Sequence, residues 1–214
     1  MGYTKRRKIK FFMHISWLGG TAVRLQTKNA DEDVVIIIDA YKPESGSFPR
    51  SLTPDIAILT RGEEGTVLAG DPFILATPGE CDLKGVLMSA VAAGETGTVA
   101  RLDAEGLSIG HLGLTNQPLN DRQREVLGDV DVLFVPVGGG DGYDATAAVK
   151  AVNAIEPRIV IPIAFQSDVD PKANPVSAFL KEMGAATTEP EAKVIIKKKD
   201  LPTEETRVVV LAKE

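Results

Sequence analysis

Val34-Val35-Ile36-Ile37-Ile38 is the stretch on which the fold turns: five consecutive β-branched residues with no polar break. Such side chains are stiff about χ1 and suit a pleated strand. An unbroken apolar run, unlike an alternating one, marks a strand buried on both faces. Upstream, Ile15–Leu18 and Ala22–Gln26 flank Gly19-Gly20, a hairpin signal. Downstream, Ile56–Leu59, Phe73–Leu75, Gly85–Ala92, Thr98–Leu102 and Leu107–Gly110 read as further short strands. The last two are joined by the turn Asp103-Ala104-Glu105-Gly106.

The second half alternates strand and helix. Leu119–Leu127 has helical spacing, with Gly128 as its stop. Val132–Val137 is another buried strand. Over Asp144–Ile155, the residues Ala145, Ala148, Val149, Val152 and Ile155 share one helical face, with Asp144 as N-cap and Pro157 beyond the end. Ile159–Ile163 is a strand, Pro175–Met183 a helix ended by Gly184, and Val194–Ile196 and Val208–Leu211 are closing strands. No internal repeat or composition break divides the chain. The pattern predicts two sheets packed face to face with helices outside.

At 214 residues, 43% apolar and 25% charged, the chain can bury a substantial core. Its single cysteine, Cys81, excludes an internal disulfide, fits a reducing compartment and is expected to pack as a small apolar residue. Lys5, Arg6, Arg7, Lys8 and Lys10 carry five positive charges; removing them from the net −6 leaves −11 for the remainder. So acidic a body does not make a broad phosphate-binding face, and nucleic acid is not an expected partner. Residues 1–12 read as a solvated basic extension, and residues 13–214 as one domain. The apolar run after Lys10 is interrupted by His14, Ser16 and Gly19-Gly20, unlike a secretory signal, and no stretch approaches the roughly 18 apolar residues of a membrane span. A cytoplasmic protein is the expectation.

Several segments together resemble the metallo-β-lactamase superfamily, in its ascorbate-6-phosphate lactonase-like branch. They are His14-Ile15-Ser16-Trp17-Leu18-Gly19, Ile37-Ile38-Asp39, Pro54-Asp55-Ile56-Ala57-Ile58-Leu59-Thr60 and Pro78-Gly79-Glu80. They continue with the segments Gly106–Gly113, Asp129–Gly139 and Glu156–Pro162, in the family's order. The resemblance implies a four-layer αβ/βα sandwich, an α/β fold of two mixed sheets with helices outside. It also implies a metal site along one edge, built from loops at strand ends, with zinc in active relatives.

The pattern departs from the family where that chemistry belongs. Active members carry His-x-His-x-Asp-His after a strand like Asp55–Thr60; here Arg61, Glu63, Gly65 and Thr66 stand at those positions. The bridging Asp corresponds to Leu114, and the late His to Ala164. Composition points the same way, since a two-zinc site needs several imidazoles and the chain has only His14 and His111. A guanidinium has no lone pair to give, and one placed about 4 Å from a dication would be repelled by roughly 8 kcal/mol at an effective dielectric near 20. Arg61 is therefore expected either to stand in for the metal's charge, paired with Glu63, Asp39 or another carboxylate, or to sit on a solvated loop whose charges have no such role.

The candidate vestigial cleft comprises Asp39, Arg61, Glu63, Glu64, His111 and Asp141, with no catalytic residue or metal ligand assigned and no cofactor expected. Gly138-Gly139-Gly140-Asp141-Gly142 lacks the Lys-Ser/Thr of a P-loop and reads as a turn with positive φ. Lys197-Lys198-Lys199 reads as a solvated turn or sheet edge. The resulting expectation is a metal-free, non-catalytic pseudoenzyme acting as a binding, regulatory or partner subunit. Its partners would be a second copy, a paralogous protein or a small anion. The alternative is a hydrolase of the superfamily with altered active-site chemistry or a relocated metal.

Overall fold

The computed structural model describes residues 12–29, 32–95, 97–186 and 189–214. Nine strands come first: β1 (Met13–Gly19), β2 (Ala22–Asn29), β3 (Glu32–Ile38), β4 (Ile56–Ile58), β5 (Phe73–Leu75), β6 (Gly79–Leu83), β7 (Val86–Ala93), β8 (Gly97–Ala104) and β9 (Leu107–His111). Then follow α1 (Asp121–Leu127), β10 (Val132–Pro136), α2 (Ala145–Ile155), β11 (Ile159–Ile163), α3 (Val176–Glu182), β12 (Val194–Ile196), a 3-10 turn at Lys198–Asp200, and β13 (Arg207–Val208). They form a six-stranded sheet, β12-β1-β2-β3-β4-β5, and a seven-stranded sheet, β13-β11-β10-β9-β8-β7-β6. Both are mixed: β3, β4 and β5 run parallel in the first, and β9, β10, β11 and β13 in the second. This is the expected α/β sandwich of two mixed sheets.

The β-branched run divides by parity as a two-faced strand should. Val34, Ile36 and Ile38 join the main core between the sheets. Ile37, with Val35 packed alongside, joins a smaller cluster of Leu18, Ala22, Ala40 and Leu52, to which Phe48, Val67 and Leu68 add from the chain between β3 and β5. Each isoleucine so buried contributes roughly 1.5–3 kcal/mol. The helices pack on the other sheet: α1 against β7 and β8, α2 against β10, and α3 against α2. Among the described residues no helix is long and apolar enough to cross a membrane.

The two sheets start their central parallel strands with one shared device. Before β4, Asp55 donates its N–H to Val35 O and accepts from Phe73 N–H, while its carboxylate takes Val35 N–H at 2.9 Å and Lys84 Nζ at 2.6 Å. Before β10, Asp131 donates to Ser108 O and accepts from Ile159 N–H, while its carboxylate takes Ser108 N–H at 2.9 Å and Lys198 Nζ at 2.7 Å. Each aspartate staples three neighbouring strands and recruits one lysine. This is an internal repeat that the sequence does not display, because only two positions in each half carry it.

Three expectations need correction. Lys198 is not merely solvated, since its ammonium closes on the buried Asp131. Gly79–Leu83 is a strand, concealed by charged Glu80 and Asp82 that suit a sheet edge. The helix expected from Leu119 starts at Asp121, because Asn120 and Gln123 form a reciprocal capping box. Asp144 caps α2 as expected, accepting from Ala147 N–H at 2.8 Å. Cys81 is half-buried against the main core, and burial pushes its thiol pKa up, helped by Asp82 and Glu80.

Candidate functional site

In open α/β sheets, ligands bind beyond the carboxyl ends of parallel strands. Here β3 delivers Asp39 to that end, β4 delivers Thr60 and Arg61, β9 ends at His111, β10 leads to Gly138–Asp141, and β11 leads to Ala164. A cleft of about 770 Å³ opens there, with Asp39, Arg61 and Asp141 in its lining. Half of the candidate residues are thus brought together. Glu63 and Glu64 are exposed on the loop after β4, outside the lining, and His111 lies beneath the cleft, only 1% exposed.

Asp39 is buried and adopts a left-handed conformation, φ 57°, tolerated by Asp better than by most residues. One carboxylate oxygen accepts Thr60 N–H at 2.7 Å and the other accepts the Thr60 hydroxyl at 2.8 Å. Both oxygens are therefore engaged in tying β3 to β4.

His111 is similarly committed. Its Nδ1 accepts Gly113 N–H at 3.0 Å, so the ring proton sits on Nε2, which lies 3.0 Å from Thr21 O and donates to it. Burial pushes the imidazole pKa down, and the Arg61 guanidinium adds to this against the opposing pull of Asp39 and the Thr21 bond. The ring is neutral, with neither nitrogen free. Gly113 is held to glycine, because a Cβ there would meet Thr98 O at 2.8 Å while φ is 63°.

Arg61 does not pair with Glu63 or Asp39: among the described residues it forms no ion pair. Its guanidinium lies 4.2 Å above the Tyr41 ring instead. The reason is local. The Tyr41 hydroxyl accepts Arg61 N–H at 2.7 Å and donates to Gly62 O at 2.8 Å, fixing the loop so that the arginine side chain folds back on the ring. A cation over an aromatic face at a partly exposed site gains about 0.5–1 kcal/mol. Tyr41 is half-buried and its hydroxyl pKa is pushed up to about 12, first by burial and then by the Asp39 carboxylate.

Ala164, also in the lining, is left-handed too, φ 54°, and donates its N–H to Gly20 O at 2.8 Å, the acceptor that Trp17 Nε1 also uses. A Cβ on Gly138 would lie 2.0 Å from Ala164 O, so glycine at 138 permits the close approach of β10 and β11. Gly139 and Gly140 supply the expected positive φ, at 75° and 66°.

Sequence reading missed Tyr41, Lys42, Glu44, Asp170 and Lys172, which also belong to the lining. Two loops far apart in the chain bring them together, and only the aromatic two residues beyond Asp39 gave a local signal. The basic residues 5–10 lie outside the described residues. Among the described residues, no group of three or more His, Cys, Asp or Glu side chains is disposed to hold a metal ion.

Residues 14–164 match the sequence model of the beta-lactamase superfamily domain. A protein from Thermotoga maritima, described as a Zn-dependent hydrolase of the metallo-beta-lactamase superfamily, is 24% identical. The match covers 93% of this chain and 98% of that one, with a TM-score of 0.77. A metallo hydrolase from Ignicoccus hospitalis is 16% identical over 87% of this chain and 99% of that one, with a TM-score of 0.65. The metallo-beta-lactamase fold protein YhfI from Bacillus subtilis is 7% identical over 88% and 100%, at 0.57. At such identities the likeness concerns the fold.

Proposed function

Because the chain belongs to the beta-lactamase superfamily, we propose that it keeps the superfamily's fold and cleft but uses them for metal-independent binding rather than hydrolysis. One observation carries this reading: the imidazole beneath the cleft has its one free lone pair engaged inside the protein, and both oxygens of the buried cleft carboxylate are held by hydrogen bonds. His111 uses both ring nitrogens on Gly113 and Thr21, and Asp39 both oxygens on Thr60. A hydrolytic metal needs several such donors free, plus an open position for water.

The donor set does not fit that group, and the positions that resemble the family's ligands agree. Arg61, Leu114 and Ala164 line the cleft where active members carry His, Asp and His. We assign the chain to the ascorbate-6-phosphate lactonase-like branch on its seven ordered segments, as a member with a degenerate site. Its role is then that of a binding or regulatory subunit.

The test is metal analysis of the purified full chain after exposure to excess zinc and desalting, together with turnover of ester, lactone and phosphodiester substrates. Zinc far below one equivalent and no turnover are expected. About one or more equivalents retained, with hydrolysis abolished by Asp39→Asn, would overturn the proposal.

A further inference from the structure

Several charged groups elsewhere in the described structure close on one another, while scattered exposed ones such as Asp71, Lys150 and Glu204 do not. Arg24 meets Glu214 at 2.6 Å, Arg101 meets Asp103 at 2.8 Å, and Lys213 meets Asp168 at 2.9 Å. The cleft gathers unpaired charges of both signs in one place. Lys42, Arg61 and Lys172 share its lining with Glu44, Asp141 and Asp170, yet among the described residues none of the six forms an ion pair. Asp170 bonds only backbone N–H groups, those of Lys172 and Ala173, at 3.2 Å.

From this arrangement we infer that the cleft binds a small zwitterion of amino-acid or dipeptide size, with Arg61 taking the carboxylate and the acidic rim the ammonium. The inference rests on reading the cleft as a binding site. With buried Asp39 included, the lining carries three cations and four anions, so a simple anion or a simple cation meets about as much repulsion as attraction. A dipolar molecule satisfies both signs at once. That refines the small anion suggested by Arg61 alone.

Arg61 suits the carboxylate end. Its planar fork matches a carboxylate bidentately. The Tyr41 ring beneath it and the phenol bonds to Arg61 N–H and Gly62 O hold the fork in place before a ligand arrives, which lowers the ordering cost of binding. The cleft's 770 Å³ lies within the range of small-ligand pockets, about 300–1,000 Å³. Two non-glycine residues in the left-handed region, Asp39 and Ala164, border it, and strain of that kind gathers at ligand sites.

Titration calorimetry of the full chain with alanyl-alanine, its N-acetyl form and its C-terminal amide tests the inference. The free dipeptide is expected to bind, and each capped form to bind about tenfold more weakly or worse, as loss of one charge-assisted hydrogen bond implies. Arg61→Gln should erase the difference between the free dipeptide and its amide. Asp141→Asn should shrink the difference between the free dipeptide and its N-acetyl form. Tyr41→Phe, which keeps the ring and removes the phenol bonds, should weaken the free dipeptide and leave the amide unaffected. Equal binding of all three peptides, or no binding of the free dipeptide, overturns the inference. Release of free alanine during the titration would sink the non-hydrolytic reading and leave the ligand class standing, so the two failures are distinguishable.

Discussion

The two ends of the parallel strands treat charge in opposite ways. At the amino ends, Asp55 and Asp131 each collect a neighbouring strand's N–H and a lysine. At the carboxyl ends, six exposed or rim charges share one cleft and none closes on another, while the buried donors below them are occupied internally. A charge paired within the protein stabilises the fold and is unavailable to a ligand, whereas an unpaired one at a cleft keeps its field for something outside. On the proposed reading, one end serves stability and the other recognition, as loops at strand carboxyl ends commonly do.

The largest expected effect lies at the amino end. Asp131→Ala leaves Ser108 N–H without its acceptor and removes a carboxylate only 5% exposed, so a loss of roughly 2–3 kcal/mol is expected in urea unfolding, with an unchanged m-value. The equivalent Asp55→Ala, at a side chain 29% exposed, should cost only about 1 kcal/mol, since water replaces much of what is lost. Equal losses at the two positions would break the link between burial and pairing strength drawn here.

A smaller effect belongs to His111. Its folded pKa is lowered by burial, so below about pH 6.5 the unfolded chain binds a proton that the folded chain refuses, and stability falls as the pH falls. The slope should reach up to about 1.4 kcal/mol per pH unit between pH 6.5 and 5, and His111→Gln should remove that component of it. Asp55, held low by the Lys84 hydrogen bond, and Asp168, held low by Ser47 N–H, lose their stabilisation only at more acidic pH, below about 4. The windows are separate, so an unaltered slope in the variant would show that His111 is not the group responsible.

The smallest effects should come from the cleft. Lys42→Gln and Asp141→Asn are expected to change stability by no more than about 0.5 kcal/mol, as surface substitutions away from paired charges do. A loss of more than about 1 kcal/mol from either would show that its charge is structural, and the contrast between the two ends would fail.

Much of the fold was legible because each strand announces itself locally. The run Val34–Ile38 reported burial on both faces, and Asp144 and Gly184 marked helix ends where the structure has them. Gly79–Leu83 was not legible, since Glu80 and Asp82 on an edge strand look like a loop. In the candidate cleft, Arg61 was singled out by the family's ligand motif, Asp39 as a carboxylate following a buried strand and Asp141 by its glycine-rich turn, and all three lie in the lining. Glu63 and Glu64 were misplaced because sequence proximity to Arg61 says nothing about which way a loop turns. Lys198 looked solvated because its partner Asp131 lies 67 residues away.

The sequence by itself determined the order of the strands along the chain and the buried runs, and its resemblance to the family sets Arg61, Leu114 and Ala164 where active members carry His, Asp and His. The first two are properties of residue type and spacing, the third is what the resemblance implies, and all are read without coordinates. Tertiary structure alone decided that His111 is neutral with both nitrogens spent, that Arg61 lies on Tyr41 instead of a carboxylate, and that six opposite charges face one cleft unpaired. Each depends on a hydrogen-bond direction or a distance between loops remote in sequence. A few ångströms separate a neutralised charge from an available one, and no local pattern encodes that separation.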